Sequence, residues 1–345
     1  MKALVLTRLG PVDERSRPLL PVEMTAPAPA EDELLVRVAT CGVCHTELDE
    51  IEGRLPPSRL PRVLGHQIVG RVLAAGRRTT IHQVGDRVGV AWIFRACGQC
   101  DQCRHDRENL CPHFQATGRD VDGGFAEFVT VPDAFAYTIP PVFSDLEAAP
   151  LLCAGAIGYR SLMLTSLENG QPLGLMGFGA SAHLVIRMAQ RRFPQSPVYV
   201  FARSEEERAF AAELGAAWAG DIRDVPPAPP AAIVDTTPAW TPVVQALEHL
   251  RPGGRLVINA IRKESADRHV LATIDYATHI WQEKELKSVA NVTRRDVQEF
   301  LELAAAMSLR PDVQVYPFER ANQALIDLKM RHVRGAKVVR VAAGA

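Results

Sequence analysis

The feature that most restricts this chain is Gly177-Phe178-Gly179-Ala180-Ser181-Ala182, which follows a short apolar run over 173–177 and opens a stretch of helical spacing over 181–192. The pattern G-x-G-x-x-A between a strand and a helix is the phosphate-binding turn of a dinucleotide fold. The first glycine makes the tight turn and the second lets backbone approach a pyrophosphate. The small third residue lets helix pack on strand, and the helix N-terminus offers amide donors. A glycine-rich turn without ligand is the bland alternative. The surroundings favour the first reading, because strands expected at 198–201, 233–235 and 256–258 alternate with helices. Ser204 with Glu207 three positions on reads as a capping box, Pro242 suits a first helical turn, and 251–254 (Arg-Pro-Gly-Gly) stops a helix. Alternation of this kind predicts a parallel sheet covered on both faces, a doubly wound α/β domain.

The first 140 residues have a different rhythm. Short β segments over 2–6, 33–39, 70–74, 86–91 and 126–131 are separated by Pro- and Gly-rich turns, with no long helical period. This is the pattern of a compact β-barrel or sandwich. At 345 residues, two domains are the natural division.

Seven cysteines need a chemical account, and six of them fall before residue 112. Cys97, Cys100, Cys103 and Cys111 form C-x2-C-x2-C-x7-C, in which tight gaps turn successive thiolates onto one ion. Four thiolates close a tetrahedral zinc shell. On spacing alone an iron–sulfur cluster or free thiols stay open.

At the end of the strand at 198–201, where NAD sites place a carboxylate for the ribose 2′-hydroxyl, the chain has Phe201-Ala202-Arg203-Ser204. No carboxylate there repels a 2′-phosphate, and Arg203 is able to pair with one, so NADP(H) is preferred over NAD(H). A solvated Arg203 beside Glu205, Glu206 and Glu207 is the alternative.

Charge excludes other classes. Lys plus Arg is 39 and Asp plus Glu is 40, a net charge of −1, so neither nucleic acid nor an anionic membrane finds a basic face. No apolar run reaches the length of a membrane span, and Met1-Lys2-Ala3-Leu4-Val5-Leu6 lacks a secretory core, so a cytoplasmic location is expected.

Several motifs occur in one order: Cys41-Gly42-Val43-Cys44-His45-Thr46, Gly65-His66, the four-cysteine lobe, Asp122-Gly123-Gly124 with Ala126-Glu127, and the glycine loop. Together they resemble the zinc-dependent alcohol dehydrogenases of the medium-chain dehydrogenase/reductase superfamily, over essentially the whole chain. Leu151-Leu152-Cys153-Ala154-Gly155 and Ser288-Val289-Ala290-Asn291 are similar to one bacterial branch of it. The resemblance implies an N-terminal GroES-like β-barrel domain over 1–153, with a structural zinc lobe at about 95–113. A Rossmann domain over 154–292 and a return segment over 293–345 would complete the chain, with the active site in the cleft between the domains.

The resemblance also implies two zinc ions per chain. Cys44, His66 and Cys153 would hold the catalytic ion, with its fourth position open, and Cys97, Cys100, Cys103 and Cys111 the structural one; Cys41 is left as a spare thiol. It gives Thr46 the role of taking the alcohol proton and His45 a place near the cofactor phosphates. The cofactor set would be Gly177, Gly179, Ala180, Ser181, Ala182, Arg203, Ser204 and Asn291. The reaction implied is hydride transfer between a small-molecule alcohol and NADP(H), giving an aldehyde or ketone. A homodimer or homotetramer is the family habit.

Three positions depart from the family pattern. Gln67 stands where Glu usually follows Gly-His, Asp49 where a histidine commonly ends the proton relay, and Asn259-Ala260-Ile261-Arg262 replaces a Gly-Ile-His pattern near the nicotinamide. The same chemistry on NAD(H), and a cofactor-binding protein of this fold with little turnover, are the competing readings.

Overall fold

The computed structural model describes residues 1–179, 181–330 and 335–342. It divides into two compact units, Met1–Cys153 with Asn291–Ala345, and Ala154–Ala290.

The first unit opens with β1 (Lys2–Leu6) and β2 (Leu19–Glu23), followed by β3 (Glu33–Val43), helix α1 (His45–Ile51), β4 (Arg62–Val63), β5 (Gln67–Ala75) and β6 (Arg87–Val90). Next come β7 (Ile93–Arg95), helix α2 (Asp101–Arg104), β8 (Gln115–Ala116), β9 (Phe128–Pro132), β10 (Ala136–Thr138) and helix α3 (Asp145–Pro150). The expected strands are present. The one foreseen at 33–39 runs four residues further, because Thr40, Cys41, Gly42 and Val43 find a second partner strand from the chain's end.

The second unit contains α4 (Ala156–Leu164), β11 (Leu173–Met176), α5 (Ala182–Arg192), β12 (Val198–Phe201), α6 (Glu205–Glu213) and β13 (Trp218–Gly220). It continues with β14 (Ala232–Asp235), α7 (Thr241–His249), β15 (Arg255–Ile258) and β16 (Glu285–Ser288). All six strands are parallel, in the order β13-β12-β11-β14-β15-β16. That is the doubly wound Rossmann order, whose reversal between β11 and β14 marks the ligand crevice beyond the strand ends. The central strands are buried on both faces, and Met176, Phe201, Ile233, Leu256 and Ile258 pack with Val243, Leu247 and Leu250 of α7 and its end. Phe201 stacks on His249 at 5.0 Å and meets Trp218 edge-on at 5.1 Å. The edge strand β16 is exposed along its whole length. Ser204 caps α6 by accepting the Glu207 amide, but the return bond from the Glu207 side chain is not made, so only half of the expected capping box forms.

The return segment adds α8 (Arg294–Ala306), β17 (Val313–Pro317), α9 (Ala321–Met330) and β18 (Ala336–Arg340). These complete the first unit's main sheet, ordered β10-β6-β5-β3-β18-β17, with β9 also on β3. Along β3, Glu33–Arg37 pairs with β9 while Thr40–Val43 pairs with β18. The last strand therefore braces the residues that lead directly into Cys44. Among the described residues no helix is long and apolar enough to cross a membrane.

One buried carboxylate ties two turns of this unit together. Asp133 Oδ2 accepts the amides of Thr80 (2.7 Å) and Ile81 (2.8 Å), and Oδ1 accepts the amide of His82 and faces its Nδ1 at 2.9 Å. Burial alone would raise the Asp133 pKa, but the three amides and the imidazole hold it below the usual carboxylate range. Asp133→Asn should cost about 1.5–3 kcal/mol at neutral pH, the scale of hydrogen bonds to a charged group. Because the folded pKa is depressed, the stabilisation is complete above the unfolded value of about 3.9 and fades as pH falls through the folded one. Melting midpoints of both proteins should differ by a constant amount from pH 7 to 5 and converge below about pH 4.

Candidate active site

Cys44 closes β3 and is the N-cap of α1, a position usually held by Ser, Thr, Asp or Asn. Its Sγ accepts the Thr46 amide at 3.4 Å, and Glu47 Oε2 accepts the Cys44 amide at 2.8 Å. The sequence C-H-T-E thus works as a capping box with sulfur in place of a hydroxyl, which fixes the thiol's direction at the helix start.

His66 enters from the other side, just before β5. Gly65 precedes it at φ +98°, where a Cβ would stand 2.8 Å from Cys41 Sγ, so glycine is required. His66 is 1% exposed; its Nε2 lies 3.6 Å from Cys44 Sγ, and its Nδ1 lies 2.6 Å from Glu47 Oε1. Cys153 lies in the π-helical turn Leu151–Gly155 after α3, with its Sγ 4.0 Å from that of Cys44. The three donor atoms lie within 4.8 Å of one another.

These distances match a metal shell. With Zn–S near 2.3 Å and Zn–N near 2.05 Å, tetrahedral angles separate two sulfurs by about 3.8 Å, and sulfur from nitrogen by about 3.6 Å. The electrostatics agree. The neighbouring Cys153 thiol, burial and the Glu47 carboxylate push the Cys44 pKa well above its ordinary value. Burial opposes charge on His66, yet Glu47 and Cys44 outweigh it and hold its pKa well above the usual range. A pocket that gathers this much negative charge away from water is matched to a dication.

The four-cysteine lobe is a second such centre. Cys97, Cys100, Cys103 and Cys111 bring their sulfurs within 4.8 Å of one another, Cys97 and Cys103 being 3.9 Å apart. Backbone amides serve the sulfurs: Cys100 donates to Cys97, and Cys97 and His113 donate to Cys111, at 3.3–3.4 Å. Amides of Gln99 and Cys100 hold the Cys97 thiol down to about 6. Cys41, by contrast, is fully buried opposite Ile68 and belongs to neither cluster.

Of the relay candidates, Thr46 is half-buried and His45 exposed. Asp49 is buried one turn beyond Thr46 on α1 and pairs with Arg54 Nε at 2.5 Å. Gln67 is buried over Gly42, where a Cβ would meet its Oε1 at 2.5 Å, and its Nε2 has no hydrogen-bond partner among the described residues. Sequence reasoning missed Glu47; the signal available was a carboxylate three residues after a candidate ligand cysteine.

In the second unit, Gly177 follows β11 at φ +80°, and a Cβ there would lie 2.8 Å from Thr237 Cγ2. A Cβ at Gly179 would meet nothing within 4 Å, which leaves open space over the loop. Ser181 makes no side-chain cap to α5, and Ala182 is wholly buried. The His183 and Leu184 amides already donate to the Gly179 and Ser181 carbonyls, at 3.3 and 3.1 Å, so an anion here would meet only the amides at the very start of the loop and helix. Ala180 lies outside the described residues. Arg203 is exposed, and its guanidinium makes no hydrogen bond or ion pair among the described residues. The residues fit a dinucleotide. Asn291, at φ +60°, opens the return segment, and its Oδ1 accepts the Val292 amide.

Comparison with known proteins agrees with this geometry. Residues 30–141 match the alcohol dehydrogenase GroES-like domain, and residues 221–339 the zinc-binding dehydrogenase domain. The chain is 42% identical over 344 residues to a probable alcohol dehydrogenase AdhA of Mycobacterium tuberculosis, covering 98% of this chain and 97% of that one. A cinnamyl alcohol dehydrogenase of Sorghum bicolor superposes with a TM-score of 0.81 at 25% identity, covering 100% of this chain and 98% of that one. A Helicobacter pylori enzyme solved with NADP(H) gives 0.82 at 18% identity, with 98% and 97% covered. The chain belongs to the zinc-dependent alcohol dehydrogenases of the medium-chain dehydrogenase/reductase superfamily. It is an oxidoreductase of their NAD(P)-dependent class, acting on small molecules.

Proposed function

We infer that this protein interconverts a primary or secondary alcohol and its aldehyde or ketone with NADP(H) as hydride partner. The observation that carries the reading is the convergence of three metal donors, rather than four, in Cys44, His66 and Cys153. Three protein ligands leave a position for substrate, whereas the four-cysteine lobe is closed. Zinc bound by the three supplies a Lewis acid toward the substrate oxygen.

The chain's own residues do the rest. Glu47 spans the Cys44 amide and the His66 ring, so it holds both ligands in place and sets the imidazole's orientation. The Thr46 hydroxyl takes the substrate proton. As the hydroxyl takes that proton it gives up its own, and Asp49, three residues on and so on the same face of α1, is the carboxylate that accepts it and hands it to solvent. The Arg54 guanidinium, already protonated, only holds the carboxylate in place. Gly177, Gly179 and the start of α5 hold the pyrophosphate. Arg203 reads the 2′-phosphate, its exposed guanidinium, unpaired among the described residues, favouring NADP(H) over NAD(H). Two copies pair through the exposed edge β16, which carries exposed Leu286 and beside which Tyr276, Ile280 and Trp281 are also exposed. A molar mass in solution twice that of the chain checks this pairing.

Fresh protein should contain two zinc ions per chain by elemental analysis. Glu47→Ala should weaken only the three-residue site, by roughly 10–100-fold, so that mild chelation lowers the count to one. Iron in the four-cysteine lobe, or a count that Glu47→Ala leaves unchanged under chelation, contradicts the assignment. Arg203→Ala should weaken NADPH by about 1.5–3 kcal/mol and leave NADH unaffected. Calorimetric titration of the two cofactors, followed by a panel of alcohols and aldehydes, tests both cofactor and reaction. Equal losses for the two cofactors would remove Arg203 from phosphate recognition.

A further inference from the structure

The strand ends of the second unit hold a buried ion pair that no step above uses. Asp235, the last residue of β14, is wholly buried, and the Lys263 side chain is 7% exposed. Lys263 Nζ donates to Asp235 Oδ2, to the Thr237 carbonyl at 2.8 Å and to the Ala239 carbonyl at 3.0 Å. The other carboxylate oxygen, Asp235 Oδ1, accepts the Thr237 amide at 3.0 Å and its hydroxyl at 2.7 Å. Burial raises the Asp235 pKa and the Lys263 ammonium opposes that rise. One ammonium and one carboxylate thus staple the whole turn 235–239.

That turn borders the phosphate loop. Thr236 donates its amide and its hydroxyl to the Met176 carbonyl, at 3.0 and 3.2 Å, and Thr237 Cγ2 occupies the space a Gly177 side chain would need. At the end of β15, Asn259 donates its backbone amide to the Asp235 carbonyl at 2.7 Å. Its side-chain Nδ2 is buried without a hydrogen-bond partner among the described residues. An orphaned buried donor at a strand end is matched to an acceptor brought by a ligand.

Strand order assigns the half of the ligand concerned. In the order 3-2-1-4-5-6 each mononucleotide lies over one half of the sheet. The half made by β11, β12 and β13 carries the glycine loop and Arg203, the adenosine side. The half made by β14, β15 and β16 takes the other nucleotide. We propose that Lys263, acting through Asp235 and the carbonyls of Thr237 and Ala239, is a positioning residue for the nicotinamide half of the cofactor. The proposal rests on the dinucleotide reading above and adds to it a residue that sets the shape of one half of the crevice.

The test separates the two halves. Full-length, metal-loaded enzyme is titrated calorimetrically with NADPH and NADH, which carry both nucleotides, and with 2′,5′-ADP and 5′-AMP, which carry only the adenosine side. Lys263→Met keeps the buried stem and removes the staple. It should weaken the dinucleotide that wild type binds by roughly ten-fold or more, the scale of misplaced contacts, and leave the adenosine fragments unchanged. If that variant does not fold, Asp235→Asn with Lys263→Met leaves no buried charge unpaired and should show the same pattern. Equal losses for dinucleotides and fragments in a folded variant, or no loss at all, overturn the proposal while the cofactor reading stands. Wild-type protein that binds none of the four ligands overturns both.

Discussion

The first unit depends on one electrostatic arrangement: two thiols, an imidazole and a carboxylate brought together out of water. Alone, these groups repel or neutralise one another, as the raised pKa values of Cys44 and His66 show. Their convergence costs free energy that a dication is suited to repay. The architecture is arranged to enforce it. β18 braces the end of β3, α1 starts on Cys44, Gly65 admits His66 past Cys41 and Phe125, and the π-turn presents Cys153. Glu47 is the link between these parts, since it caps α1 and orients His66 at once.

The second unit solves a different problem. A parallel sheet buried on both faces leaves polar groups exposed only at its strand ends, and ligands bind there because backbone donors and turns are free to face them. Here the ends are organised by two devices. Glycines at 177 and 179 clear space, and the Asp235–Lys263 staple fixes the neighbouring turn. A buried ion pair is weak evidence for stability in itself. Its value here lies in geometry, because the same ammonium reaches three acceptors in a five-residue turn.

The departures from family pattern take on physical meaning in the structure. Gln67 is a buried amide packed on Gly42, with a donor left over. Asp49 is paired with Arg54, and Glu52 also receives Arg54 together with Lys329 from α9, so the end of α1 is held by a charge network. Neither position disturbs the donor geometry around Cys44.

Much of this was legible in the sequence because local chemistry is local in the chain. The four-cysteine spacing, the G-x-G-x-x-A turn and the strand–helix alternation each lie within a short window, and their structures follow from it. The missing carboxylate at 201–204 was equally readable. What the sequence did not determine depends on residues far apart. The extension of β3 to Val43 needs a partner strand some 300 residues later. The half-made cap at Ser204 turns on where the Glu207 side chain points. Glu47 joins His66 across nineteen positions, and Lys263 reaches Asp235 across 28. Only tertiary structure brings such pairs within hydrogen-bond reach, because chain spacing fixes side-chain identity and period, while contact across strands is decided by how the sheets close.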